Sequence, residues 1–337
     1  MFLRTLIILS FFLTSLSTSC FTQNIEKIKG ITIVAPPSPF KSDPFQEIVS
    51  LNADWIALIP YGFTRGNDSE VLHNLDRQWW GEKEQGIREC IKLAQRHKLK
   101  IMIKPQVYIH DSWVGNFECS SEEEWLKWEE SYEDYILSYA RIAAETSVEM
   151  LCIGTEYRIA VKKRKAFWVS LIKKIKEIYK GKLTYSANWD DYKNVTFWDK
   201  LDYVGISGYF PLANKNATKA DLLQAWEKVK PALLNFSLFK QKNILFTEYG
   251  YLSVDGCYGK TWELEKKVNQ LPVNEKDQAL ALDALYSSFW EESFWSGGFL
   301  WKWFPELKGH EGYPERDYTP QGKLSEKTIK NWFSKRP

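Results

Sequence analysis

Two glutamates carry the strongest chemical signal in this chain. Glu156 follows the apolar run 150–154 and Glu248 follows the run 244–247, so each carboxylate stands just beyond a stretch that reads as buried. A carboxylate there loses hydration unless it is paired or used. A single one is balanced between function and a salt bridge, with Arg158 and Lys302 as candidate partners. Two at equivalent places shift the reading. Paired carboxyl groups, one protonated and one ionised, can cleave a glycosidic bond: one protonates the leaving oxygen while the other attacks the anomeric carbon or activates a water. A separation of roughly 5–5.5 Å gives retention of configuration, and roughly 6.5–9.5 Å leaves room for a water and gives inversion.

The elements that must hold these residues are legible as an alternation. Short runs at 31–35, 55–59, 101–107, 150–154, 183–187, 203–207, 244–247 and 298–301 are continuously apolar, as parallel strands buried on both faces are. Helical spacing with charged outer faces occupies 82–97, 122–145, 162–179, 219–239 and 275–294, and 324–333 makes a closing helix. Strand followed by helix, eight times, predicts an α/β fold: a single-domain (β/α)8 TIM barrel over residues 29–337. An open doubly wound sheet is the alternative, but no Gly-rich dinucleotide loop follows the first run.

In such a barrel the chemistry sits at the carboxyl ends of the strands. Tyr61 follows the second run. Lys104 and Gln106 share one parity on the third, which continues into His110, Asp111 and Trp113. Asn188 and Trp189 end the fifth, Tyr209 the sixth, and Trp301 and Trp303 the eighth. Amides, carboxylates and flat rings thus recur at one rim. These groups hydrogen-bond sugar hydroxyls and stack on the C–H faces of sugar rings. The pair Trp79-Trp80 on the second loop could cover the cleft, whereas Trp125, Trp128 and Trp290 have the spacing of helix packing.

The acidic residues ending runs four and seven resemble clan A of the retaining glycoside hydrolases. Gly154-Thr155-Glu156, Phe246-Thr247-Glu248-Tyr249-Gly250 and Trp301-Lys302-Trp303 are most similar to glycoside hydrolase family 113, whose known members are chiefly β-1,4-mannanases. The resemblance extends from Lys29 to the last helix. It implies a β-1,4-mannan or related β-glycan as substrate, with Glu156 as acid/base and Glu248 as nucleophile. Tyr209 is then placed to hydrogen-bond Glu248, and Trp301, in preference to Trp303, to form the stacking platform. Lys104 and Gln106 could bond sugar hydroxyls, or Lys104 could pair with a barrel carboxylate. One position departs from the clan pattern. Asn usually precedes the acid/base and bonds the 2-hydroxyl; here that residue is Thr155, with a single short hydroxyl. Asn188 on the neighbouring strand could take over that contact.

Composition bounds the partners. The 337 residues carry 45 basic and 43 acidic side chains, a net charge of +2, which offers no basic stripe for nucleic acid. A neutral polysaccharide or oligosaccharide needs no steering field. An apolar fraction of 44% excludes a disordered chain, and 16 tryptophans point to flat contact surfaces as well as core. There is no Cys-x-x-Cys and the four histidines lack metal-ligand spacing, so no metal or other cofactor is expected.

The N-terminus reads as an address. Arg4 precedes an apolar and small-residue run to Ser19, the pattern of a secretory signal at residues 1–19 and too short for a membrane span. Leu16-Ser17-Thr18-Ser19-Cys20 resembles a loose bacterial lipobox. On that reading Cys20 is the lipidated first residue, 20–28 is a short tether, and the protein is an exported lipoprotein of the periplasm or cell surface, touching membrane only through its anchor. An ordinary signal peptide cut nearby is the other reading. Export permits disulfides: Cys119 and Cys257 lie in loop-like stretches and could pair, while Cys90 and Cys152 look like core. A non-catalytic, oligosaccharide-binding surface lipoprotein is the rival function; it would keep the aromatic rim but need not keep both glutamates.

Overall fold

Continuous apolar runs leave a strand only one way to be buried on both faces, with partners on either side and helices outside. A computed structural model describes residues 26–65, 68–213, 216–306 and 314–335. In it the runs become β1 (Ile28–Ile33), β2 (Trp55–Leu58), β3 (Lys100–Ile103), β4 (Met150–Thr155), β5 (Lys182–Asn188), β6 (Val204–Ser207), β7 (Ile244–Tyr249) and β8 (Trp295–Trp303). All neighbours are parallel, and β8 pairs with β1 to close the barrel. The expected signal segment, Cys20 and most of the expected tether lie outside the described residues. The end of that tether is already barrel: Ile28 opens β1, and buried Lys27 donates to the carbonyls of Glu292 and Trp295 at 2.7 and 2.6 Å.

The helices in chain order are α1 (Phe45–Ser50), α2 (Glu84–Arg96), α3 (Glu122–Glu145), α4 (Arg158–Lys163), α5 (Lys165–Ile178), α6 (Lys219–Lys240), α7 (Thr261–Glu265), α8 (Glu275–Phe289) and α9 (Leu324–Phe333). The β5–β6 connection departs from strict alternation: its described helical content is two 3-10 turns, Tyr192–Asn194 and Trp198–Lys200. Helix α3 begins where three successive glutamates complement the helix dipole, with Ser121 accepting from the Glu124 N–H at 3.2 Å.

Two cores form. Trp55, Met102, Met150, Cys152, Leu245 and Phe299 pack together inside the barrel, and a larger layer joins the outer strand faces to the helices. Trp125, Trp128 and Trp290 belong to the outer layer and are 5%, 0% and 1% exposed. Burying each such ring contributes about 2 kcal/mol or more. The four described cysteines are buried free thiols, so Cys119 and Cys257 do not pair.

One departure bears on function. The third apolar run was expected to be a single strand, but it breaks at Pro105, which has no N–H for the ladder. Pro60, just past the second run, separates that strand from the extended segment after it. Above the barrel both chains resume, and Tyr61–Thr64 pairs in parallel with Gln106–Ile109 as a separate two-stranded ribbon. The Tyr135 hydroxyl of α3 donates to the Pro60 and Gln106 carbonyls at 2.6 and 3.0 Å, tying the ribbon down.

Candidate active site

Glu248 lies in β7 at the barrel mouth, nearly enclosed, with 9% of its side chain exposed. The β6–β7 register shifts beside it, pairing Ser207 with Glu248, and the Glu248 carbonyl accepts from Gly208 N at 2.7 Å. Across the barrel, Lys104 follows β3 and is fully buried; its ammonium pairs with Glu248 Oε1. The amide of Gln106, first residue of the ribbon's second strand, donates to the same oxygen. Tyr209 donates to Oε2 at 3.2 Å, and burial pushes its phenol well above the ordinary range, so it stays a donor. Glu248 therefore has an ammonium and two neutral donors converging on its carboxylate, which fix its orientation. The suggested Lys302 bridge does not form; Lys302 faces Asp317 at 3.6 Å instead. Gly250 enables the tight approach of β8: a Cβ there would sit 2.4 Å from the Trp301 carbonyl oxygen.

Glu156 is built differently. Its φ of +56° lies in the left-handed region, which costs a non-glycine residue roughly 1–2 kcal/mol. The turn is pinned on both sides: Glu156 N donates to the Ser186 carbonyl at 2.8 Å, and Arg158 N donates to the Glu156 carbonyl at 2.7 Å. Tyr157, next in the chain, is 1% exposed and packs among Phe117, Trp128, Tyr132 and Trp168. With the chain anchored there, the Glu156 side chain projects over the mouth and remains partly exposed. The Trp113 indole N–H donates to its Oε2 at 2.7 Å. Arg158 stacks on Trp113 at 4.8 Å and pairs with Asp190, so it does not neutralise Glu156.

Burial, and then the neighbouring Glu248 charge, push the Glu156 carboxyl above the ordinary glutamate range. Trp113, the Ser207 hydroxyl and Lys104 oppose that rise without cancelling it. Behind the pair, Ser207, Ser186 and Thr247 form a buried hydroxyl chain with links of 3.0 and 2.6 Å. The geometry thus places two carboxyls in unlike surroundings at a single mouth, one held by three donors and one pushed above the ordinary range.

The remaining rim residues divide. Trp301 is partly buried on the barrel-interior core and borders both a cavity of about 800 Å³ and one of about 390 Å³. Its bond to Lys302 is a cis peptide. Tyr61 lines the larger cavity. Trp303 does not join them: it is 2% exposed within the outer core, and its carbonyl accepts from Val34 N at 2.9 Å. Trp189 stacks on Trp262 at 6.0 Å and 16°. The Asn188 amide donates to Asp190 Oδ1 at 2.9 Å. Thr155 is 7% exposed, its hydroxyl 3.5 Å from the Pro105 carbonyl. Trp79 lines the larger cavity, and Trp80 is buried.

Trp113, expected only as one of several residues following the third run, proves to be a direct donor to Glu156, and Trp262 was not among the expected rim residues. The tandem Ile59-Pro60 and Lys104-Pro105 breaks were the available signal for the ribbon that carries Phe63 and Tyr108.

The family model of glycoside hydrolase family 113 matches residues 39–323. No curated protein matches this sequence. Among solved structures, the chain is similar to the family 113 β-mannanase AaManA of Alicyclobacillus acidocaldarius, in complex with ManMIm. That match has 25% identity and a TM-score of 0.80, covering 92% of this chain and 97% of that one. A second family 113 enzyme, a β-1,4-mannanase solved as a complex, matches at 26% identity and a TM-score of 0.77, covering 92% of this chain and 100% of its own. A β-glucuronidase of Faecalibacterium prausnitzii, at 14% identity and a TM-score of 0.60 over 49% of its length, shares the fold. The match of a family model to most of the chain, on a closed eightfold barrel with these carboxylates at its mouth, establishes that the protein belongs to glycoside hydrolase family 113.

Proposed function

We propose that the protein hydrolyses β-1,4-linked mannan or a closely related β-glycan with retention, through Glu248 as nucleophile and Glu156 as acid/base. The observation that carries this reading is the opposite environment of the two carboxyls. Lys104, Gln106 and Tyr209 hold Glu248 oriented, while burial and the neighbouring Glu248 charge push the Glu156 carboxyl above the ordinary glutamate range. The carboxylate of Glu248 attacks the anomeric carbon as Glu156 gives its proton to the departing glycosidic oxygen. That transfer leaves Glu156 ionised, and the charge on Glu248 is consumed in the new ester. With the neighbouring charge gone, Glu156 becomes the base for an incoming water, which releases the sugar and restores both groups. Trp301, on the floor of the cleft, is the stacking platform.

Mannan as the substrate is favoured by the two similar β-mannanases. A panel of soluble mannan, glucomannan, β-glucan and xylan, with product lengths resolved, tests it. Release of mannan-derived oligosaccharides is expected. A protein that cleaves none of the four would overturn the hydrolase reading, and one that cleaves only xylan or β-glucan would overturn the mannan assignment.

A further inference from the structure

The larger cavity extends away from the carboxylates, and its wall is the ribbon. In a strand alternate residues share a face, so Tyr61, Phe63 and Arg65 follow one another along one side, with Tyr108 beside Phe63 at 6.2 Å between ring centroids. All four line the cavity, and Arg77 lines it from the loop before α2. Arg65 and Arg77 are exposed there. Neither has a carboxylate partner among the described residues, whereas Arg88, Arg158, Arg164 and Arg316 each have one. The carboxyl that lines this cavity, Glu82, is 7% exposed and pushed up to about 7 by burial, so it does little to offset two guanidinium charges near neutrality.

An aromatic ladder ending in two uncommitted guanidinium groups does not match a wholly neutral glycan. Aromatic faces accept the sugar ring, and a guanidinium fork matches a carboxylate in a bidentate manner. Resting on the hydrolase reading above, we propose that this end of the cleft is a subsite for a sugar residue bearing a carboxylate, held by Arg65 and Arg77, which makes the preferred substrate an acid-substituted β-glycan.

Binding to the E248Q protein tests this without turnover. Calorimetric titration compares a neutral β-1,4-mannan oligosaccharide with the same oligosaccharide oxidised to a carboxylate at C6. Charge-assisted bonds of this kind predict about tenfold tighter binding of the oxidised ligand, with the preference shrinking as salt rises. R65Q and R77Q, added singly to E248Q, should each reduce that ratio and together bring it near one, while R77K keeps part of it. Melting temperatures equal to the parent show that the variants are folded. Equal affinities for the two ligands, or a preference that survives the double substitution, would overturn the subsite. If E248Q protein prefers the acidic ligand but the unmutated protein hydrolyses neither, the reaction assignment fails and the subsite stands.

Discussion

The ends of β4 and β7 present the same side chain to the same mouth and treat it in opposite ways. At β7 a fully buried lysine, an amide and a phenol converge on Glu248. At β4 the backbone is held in a strained turn, and the indole of Trp113, the Ser207 hydroxyl and the more distant Lys104 do not offset burial and a neighbouring negative charge at Glu156. The identity of the side chain therefore does not decide its role. The difference lies in what surrounds each carboxyl: at β7 fixed dipoles and an ammonium converge on it, while at β4 burial and a neighbouring charge outweigh the donors and push the carboxyl above the ordinary range.

The sharpest way to break this contrast is to remove the Glu248 carboxyl. E248Q should lower kcat by on the order of 10⁴-fold or more, measured on a soluble mannan oligosaccharide, because an amide cannot form the covalent intermediate. E156Q should cost about 10²–10⁴-fold on natural substrate and far less on an aryl glycoside whose leaving group needs no proton, so the ratio of the two losses identifies the acid. A loss of equal size on both substrates would contradict the assignment. K104M removes the cation from the β7 side while leaving the volume filled, and about 10²-fold in kcat is expected with KM little changed.

Smaller substitutions sharpen the comparison. Y209F deletes one donor to Glu248 and should lower kcat by about tenfold. W113F acts on the other side, and its signature is the pH profile more than the rate. The indole N–H favours the ionised form of Glu156; without it the carboxyl holds its proton to higher pH. The alkaline limb of kcat/KM should therefore move upward, and a downward move would contradict the picture. Glu82 supplies the smallest effect, read in stability. Its ordinary value is 4.5 and its folded value about 7, so the folded state binds the proton more tightly. The resulting stabilisation is complete below 4.5 and is lost as pH rises to about 7. The melting temperature of E82Q, relative to the unmutated protein, should accordingly rise by a few degrees across that interval and stay level outside it.

The barrel was legible because buried parallel strands leave continuous apolar runs, and because the chain repeats that signal at regular intervals. The glutamates were legible for the same reason, as charges set against those runs. The Tyr209 contact to Glu248 was anticipated, and a barrel carboxylate was one of two expected partners for Lys104; Gln106 was expected to meet sugar hydroxyls and instead donates to Glu248. The ribbon could not be separated from the third strand by periodicity, since an extended chain looks the same on both sides of Pro105 and only the proline marks the break. Trp303 matched Trp301 in type and position, yet packing buried one and opened the other. Trp262 reaches Trp189 through tertiary folding alone, from a helix far along the chain.

The central claim is that Glu248 carries the covalent bond while Glu156 handles the proton. Trapping the enzyme with a 2-deoxy-2-fluoro mannoside bearing an activated leaving group, followed by peptide mapping with mass spectrometry, tests it most directly. A single sugar adduct on Glu248 is the expected result. An adduct on Glu156, or on any other residue, would contradict it.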